Sequence, residues 1–452
     1  MPKAAFTTLG CKVNQYETQQ ILERFERAGF RIVPFNAIAD VYVINSCSVT
    51  SIAESKSRYA IRRAMRNNPN AKIVVTGCAA QMARNLGNTL EGVDVVVPNP
   101  DKENTLQYVL QAFPEFAIRA KMNPQGTSGP WTGFQGRTRA TLKIQDGCNV
   151  KCSYCSIPST RPVMRSRPYR QVLEEARNLA AMGYQEAILT GVLIGSYGPE
   201  TGSDGPGLEA LIELLSEKSG LMRIRISSIE MCQVTYRLMN LLANGLAVPH
   251  LHIPLQSGDS GVLKDMNRPY DRESFLELCQ ILYEVVPDIS ITTDIMVGYP
   301  TETEARFHSS VEVCERAGFL KGHIFRFSPR PGTPANDLGD PISPDVKLER
   351  SLRLADVTSQ TGDAFIKRFL GRTMRVLTEG KSTATGLLHG LTDNYIEVSF
   401  AGPPSLARKL CWVTLNDVRD GVAYGELAAC SSEYPAEGRG SDRRVVKQVQ
   451  GK

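Results

Sequence analysis

The 452-residue chain has no run near the roughly eighteen consecutive apolar residues that a membrane-spanning helix requires. Its opening, MPKAAFTTLG, lacks the apolar stretch of a signal peptide. A cytoplasmic protein with no membrane partner is therefore expected. Nor is there a large excess of one charge. Lys and Arg number 52 against 47 Asp and Glu, and the net of +5 permits an acidic partner such as nucleic acid without requiring one. Eleven cysteines, an odd count in a chain expected to meet a reducing compartment, do not form a disulfide framework. Also missing is a second C-x2-C knuckle that would complete a zinc site with the one present.

What the chain does have is alternation. Strand patterns at Ala4–Thr8, Val41–Asn45, Lys72–Thr76 and Val93–Val97 are separated by amphipathic helices, which predicts a doubly wound parallel sheet covered on both faces, over residues 1–118. The first three of those strands each run into a cysteine: Cys11, Cys47 and Cys78. Ligands of open parallel sheets bind outside the carboxyl ends of the strands, so three cysteines spaced by more than thirty residues can converge there. Residues 119–137, rich in Pro and Gly, predict a linker. Six further strand–helix alternations across residues 138–368 are too few for a closed eight-unit barrel and predict an open (β/α)6 partial barrel. From 369 to 430 the texture is short β runs with turns, a small β-barrel, and the polar residues 431–452 predict a disordered tail.

Cys148, Cys152 and Cys155 follow the first strand of the central region in C-x3-C-x2-C spacing. One short loop with three thiolates can hold three corners of a cubane iron–sulfur cluster, leaving the fourth iron open. An open iron can chelate the amino and carboxylate groups of S-adenosylmethionine and deliver the electron that releases a carbon radical. The later strand ends offer cofactor contacts: Thr190 and Gly191 for the methionine end, Ser228 and Glu230 for ribose hydroxyls, and Gln256. Asp294, inside the apolar run Ile291–Val297, needs a partner or a catalytic task because an unpaired buried carboxylate is costly. Basic residues gather on one helix (Lys56, Arg58, Arg62, Arg63, Arg66) and just beyond the cysteine loop (Arg161, Arg165, Arg167), where a phosphate-bearing substrate would meet them.

Seven stretches, in order, resemble the radical S-adenosylmethionine methylthiotransferases. They are Thr8–Thr18, Asn45–Thr50, Thr76–Gln81, Lys143–Cys148, His252–Gly258, Thr293–Pro300 and Arg330–Ala335. The resemblance spans about residues 3 to 430 and includes a carboxyl-terminal segment similar to the RNA-binding TRAM domain. It implies a second 4Fe–4S cluster on Cys11, Cys47 and Cys78, beside the radical cluster on Cys148, Cys152 and Cys155. It also implies an enzyme that inserts sulfur into a C–H bond and methylates it, using S-adenosylmethionine for both radical and methyl group. An electron donor and a sulfur donor are needed, which a sequence does not name. Lys12-Val13-Asn14 and Gln145-Asp146-Gly147 resemble the branch acting on N6-threonylcarbamoyladenosine in the tRNA anticodon stem-loop. The isopentenyladenosine branch carries Gln-Met-Asn there, and the ribosomal-protein aspartate branch Pro-Lys-Asn. Pro162, Leu193 and Met231 depart from the family pattern. A reading from another class, a zinc-bearing RNA-binding module without catalysis, lacks a fourth ligand near Cys155.

Overall fold

The computed structural model describes residues 1–48, 51–120, 137–202, 205–381 and 385–430. Most of the expected linker and all of the expected tail lie outside the described residues. Three bodies follow one another along the chain, each organised by its own hydrophobic core.

In the first, strands β1 (Lys3–Thr8), β2 (Arg31–Val33), β3 (Val41–Ser46), β4 (Lys72–Gly77) and β5 (Val95–Val96) form a parallel sheet in the order β2-β1-β3-β4-β5. The strands are short runs of β-branched and aromatic residues, and β3 is buried along its whole length. Lys12–Arg27 packs Ile21 and Phe25 on one face, together with Leu106 and Val109 of Thr105–Ala112. Ser51–Asn67 packs Ala60, Ile61 and Ala64 on the other. The sheet is thus doubly wound, and its order reverses between β1 and β3, the switch point where such folds open a crevice.

The central body contains β6 (Ala140–Lys143), β9 (Glu186–Thr190), β10 (Arg223–Ile226), β11 (His250–His252), β12 (Ser290–Val297) and β13 (Lys321–Arg326). A small ribbon of β7 (Gln145–Asp146) and β8 (Arg165–Ser166) interrupts the series. The six main strands are parallel neighbours in chain order, in two three-stranded sheets joined by the bridge Ser228–His252. This is the open (β/α)6 architecture. Alternate residues (Leu142, Leu189, Ile224, Leu251, Ile291) point outward into a core shared with the helices. The residues between them are polar: Arg225, His250, His252, Thr292 and Asp294 face the lumen, and Glu186 and Arg223 are buried.

The third body is a closed barrel of β14 (Thr373–Lys381), β15 (Leu388–Thr392), β16 (Glu397–Phe400), β18 (Val422–Cys430) and β17 (Leu410–Arg419), in that order around the ring. The short β runs expected over 369–430 are these five strands, closed into a ring as expected. Pro344–Lys367, a 24-residue helix missing from the sequence reading, leads into this barrel and places Phe365 and Ile366 in its core.

Candidate active site at the junction of three bodies

Three glycines shape the cysteine loops. Gly10, Gly77 and Gly147 immediately precede Cys11, Cys78 and Cys148 and adopt φ of +88°, +94° and +80°. Such angles turn the chain sharply out of a strand and strongly favour a residue without Cβ. At Gly10 a Cβ would lie 2.5 Å from Cys47 Sγ, so this glycine also lets two cysteines of the first body approach. Gly10→Ala is expected to cost about 1–3 kcal/mol in backbone strain and to displace Cys47. Iron analysis of the reconstituted protein checks this, and wild-type iron with an unchanged melting temperature would refute it.

Every sulfur of the central triad accepts a hydrogen bond. Val150 N–H donates to Cys148 Sγ (3.4 Å), Ile157 N–H to Cys155 Sγ (3.4 Å), and the Arg268 guanidinium to Cys152 Sγ (3.1 Å). Burial pushes the Cys148 thiol up, and the Cys155 thiol to about 12, so loading a metal here releases protons. Three thiolates in one loop, each stabilised by a donor, fit an iron–sulfur cluster. In the first body, Cys11, Cys47 and Cys78 stand at the carboxyl ends of β1, β3 and β4, around the switch point. Cys47 and Cys78 are buried, whereas Cys11 is accessible to solvent although protein surrounds it, as for a side chain facing an internal space. Burial raises the Cys11 thiol, opposed by Arg161, and Asn99 Nδ2 lies 3.8 Å from Cys78 Sγ. This donor set also fits a cluster. Among the described residues, no three His, Cys, Asp or Glu side chains group closely enough to hold a single metal ion.

The two cysteine sets are tied together by a buried charge network that the sequence reading missed. Glu17 accepts from Lys102 (2.7 Å), Lys143 (2.6 Å) and both terminal nitrogens of Arg161 (2.9 and 2.7 Å), and Arg161 also donates to Asp146 (2.6 Å). Burial would raise the Glu17 carboxyl, but Arg161, Lys102 and Lys143 outweigh it and hold it well below the usual range. Arg161 is therefore corrected from an RNA contact to an inter-body clamp, since its guanidinium is buried and already donates to Asn14, Glu17 and Asp146. Arg167, whose side chain is 24% exposed, pairs with Glu175 (2.7 Å) and donates to Tyr16 Oη and the Lys143 carbonyl. Only Arg165 of the three is exposed.

The expected cofactor residues divide. The Thr190 hydroxyl donates to the Ile188 carbonyl. Gly191 is pressed against Gln145, whose Oε1 accepts from Val192 N–H and Leu193 N–H while Nε2 donates to the Asp146 and Gly147 carbonyls. Gln145 thereby fixes the cysteine loop to the loop after β9. The departure at Leu193 is a buried residue whose backbone completes that clamp. Glu230, expected on ribose, is ion-paired to Arg268, the residue on Cys152. Gln256 takes φ +65° and bridges to β12. Ser228 and Asp294 face the lumen, and Asp294 has found its partner in His252 Nε2 (3.2 Å).

That lumen is a cavity of about 230 Å³ between all three bodies. Lys12 comes from the first body, and Ser228, His252, Asp294 and His323 from the second. Tyr395, at φ +68°, comes from the turn between β15 and β16 of the third and stacks on His250 with ring centroids 4.3 Å apart. Burial opposes ionisation of Tyr395, yet Arg139, Lys12 and Arg225 bring its hydroxyl below the usual range. Period-two alternation in Arg223-Ile224-Arg225-Ile226 and His250-Leu251-His252 is the sequence signal that would have revealed a polar lumen.

Residues 3–98 match the model described as Uncharacterized protein family UPF0004, and residues 142–314 match the Radical SAM superfamily. The chain is 38% identical to Threonylcarbamoyladenosine tRNA methylthiotransferase MtaB of Bacillus subtilis, over 94% of this chain and 96% of that protein. It is 31% identical to tRNA-2-methylthio-N(6)-dimethylallyladenosine synthase of Staphylococcus haemolyticus, over 91% and 82%. Among solved structures, the radical S-adenosylmethionine methyltransferase TsrM of Kitasatospora setae superposes with a TM-score of 0.52 at 14% identity. The match covers 74% of this chain and 75% of that one, a likeness of fold alone.

Proposed function

The chain belongs to the radical S-adenosylmethionine methylthiotransferases, and we propose that it methylthiolates carbon 2 of N6-threonylcarbamoyladenosine in the tRNA anticodon stem-loop. It is an enzyme transferring a sulfur-containing group, with S-adenosylmethionine and 4Fe–4S clusters as cofactors. In this reading Cys148, Cys152 and Cys155 hold the radical cluster and Cys11, Cys47 and Cys78 the auxiliary one. Bound there, the clusters and S-adenosylmethionine supply radical formation, sulfur and methyl group. The chain's own residues align these parts. Gln145 and Arg268 brace the cysteine loop, and the Glu17 network fixes the first body against the second. The lumen receives the substituted base.

The observation that carries the choice of nucleoside is the polarity of that lumen. Lys12, Ser228, His252, Asp294, His323 and Tyr395 form a polar wall that an apolar dimethylallyl group would desolvate without offering any of them a hydrogen bond. A threonylcarbamoyl group brings the hydroxyl, urea and carboxylate that such walls can pair. Asp294, with His252, is assigned to substrate contact rather than to the cofactor. An unpaired anticodon-loop adenosine can enter without melting a duplex.

The test is nucleoside mass spectrometry of stem-loop RNA after incubation with reconstituted enzyme, S-adenosylmethionine and dithionite. Replacement of one hydrogen by a methylthio group on the threonylcarbamoyl RNA is expected. Modification of dimethylallyl RNA in its place would overturn the reading. Phosphate contacts are assigned to the exposed Arg165 and to the carboxyl-terminal barrel. Arg165→Ala is expected to weaken RNA binding and to lower the slope of log affinity against log salt by about one unit. An unchanged slope removes Arg165 from the interface. Deleting the barrel is a poorer test, because Arg223 and Arg225 donate to the carbonyls of Leu391, Thr392 and Asp393 and would be stranded.

A further inference from the structure

Charges around the lumen are committed, with one exception. Arg225 binds Glu186 and the carbonyls of Thr392 and Asp393. His252 is held by Asp294 through Nε2 and by Thr292 through Nδ1. Lys12 lines the same cavity, is accessible to it, and makes no hydrogen bond or ion pair with any described residue. It stands where the first body closes over the barrel, and the carboxylate that lines the same cavity, Asp294, is paired with His252. A cation without an ion-pair partner on the wall of a polar cleft is complementary to an anion brought by the ligand. The cavity, about 230 Å³, has the volume of roughly eight waters, the scale of a base substituent rather than of a whole nucleotide.

We propose that Lys12 is the specificity residue that reads the threonyl carboxylate of the substituted adenosine. This rests on the threonylcarbamoyl reading above and goes beyond it, naming the group recognised and the residue that recognises it. The ammonium receives the carboxylate at the mouth of the lumen, while the remaining polar atoms of the substituent lie toward Asp294 and Tyr395. A neutral ligand of the same shape forfeits the charge-assisted hydrogen bond and leaves the ammonium unpaired, a difference of about 10- to 100-fold in affinity.

The experiment uses the full-length, cluster-loaded enzyme and two anticodon stem-loop RNAs. One bears the threonylcarbamoyl group, and the other bears the same group with its carboxylate converted to a methylamide. Both kcat/KM and equilibrium binding are measured, the second needing no turnover. Wild type is expected to favour the acid RNA about 10- to 100-fold. Lys12→Met should bring the two RNAs to parity by losing affinity for the acid alone, and Lys12→Arg should keep the preference. If Lys12→Met keeps the wild-type ratio, even with both RNAs weakened, Lys12 serves the neighbouring cysteine or the fold, and the assignment falls. If wild type takes acid and amide RNAs equally, Lys12 is refuted while the threonylcarbamoyl reading stands. If wild type modifies only dimethylallyl RNA, both fall together.

Discussion

Replacing Cys148, Cys152 and Cys155 together by Ala is expected to abolish reductive cleavage of S-adenosylmethionine and to remove about half of the bound iron. The loss should be complete because the three thiols lie on one loop and each would hold its own corner of the cluster. Replacing Cys11, Cys47 and Cys78 should remove the other half of the iron, stop methylthiolation, and leave cofactor cleavage in place. Iron and sulfide analysis, with quantitation of 5′-deoxyadenosine, checks both variants. Full iron in the second variant would eliminate the auxiliary site. Continued cleavage in the first would eliminate the radical site. The two sets are separable because they belong to different bodies, joined by the Glu17 network rather than by a shared loop.

The largest effect on stability is expected at Glu186. This carboxylate, fully buried, is shared by Arg223 and Arg225, whose side chains are 0% and 1% exposed. Burial would raise the Glu186 carboxyl, but Arg225 and then Arg223 outweigh it and hold it at about 2, against an ordinary 4.5. Burial pulls Arg223 down to about 10, so it is still a cation at neutral pH. Glu186→Gln leaves two buried guanidinium groups with Asp393 and carbonyls alone, and is expected to cost about 3–5 kcal/mol. The folded value is depressed, so the contribution is fully present above pH 4.5 and fades as pH falls toward 2. Urea unfolding of the two proteins as a function of pH checks this. The gap between their midpoints should be widest at neutral pH and close with acid. A constant gap would show that shape, not charge, is what Gln fails to supply.

Much of this architecture could be read directly. Apolar periodicity predicts helices over Arg272–Val285 and Glu304–Ala317, and the structure has them at those bounds, with Asp271 and Thr303 accepting from backbone N–H groups in their first turns. Strands β1, β3 and β4 of the first sheet are legible as short β-branched runs, whereas the three-residue edge strand β2 is too short to show a pattern. The helix Pro344–Lys367 was not, since its apolar residues are sparse and serve two neighbours, β13 and the terminal barrel. The carboxylate partners of Arg161 and Arg167 are not legible in the sequence, because a cluster of arginines beside a cysteine loop has the same composition whether it meets phosphate or carboxylate. Their partners, Glu17 and Glu175, are 144 residues away in one case and eight in the other.

The sequence by itself determined the cysteine sets, the order of three bodies and the parallel character of the first two, because local spacing and strand periodicity are short-range properties of the chain. Only the tertiary structure decided which charges are free. Lys12, Arg161 and Arg225 are alike as residues. Arg161 and Arg225 are neutralised by Glu17 and Glu186, which distant strands and helices bring to them, and Lys12 makes no ion pair with a carboxylate among the described residues. The same is true of Tyr395, a turn residue of the last body that becomes a wall of the lumen of the second. An electrostatic role depends on neighbours in space, and those are set by how the bodies pack.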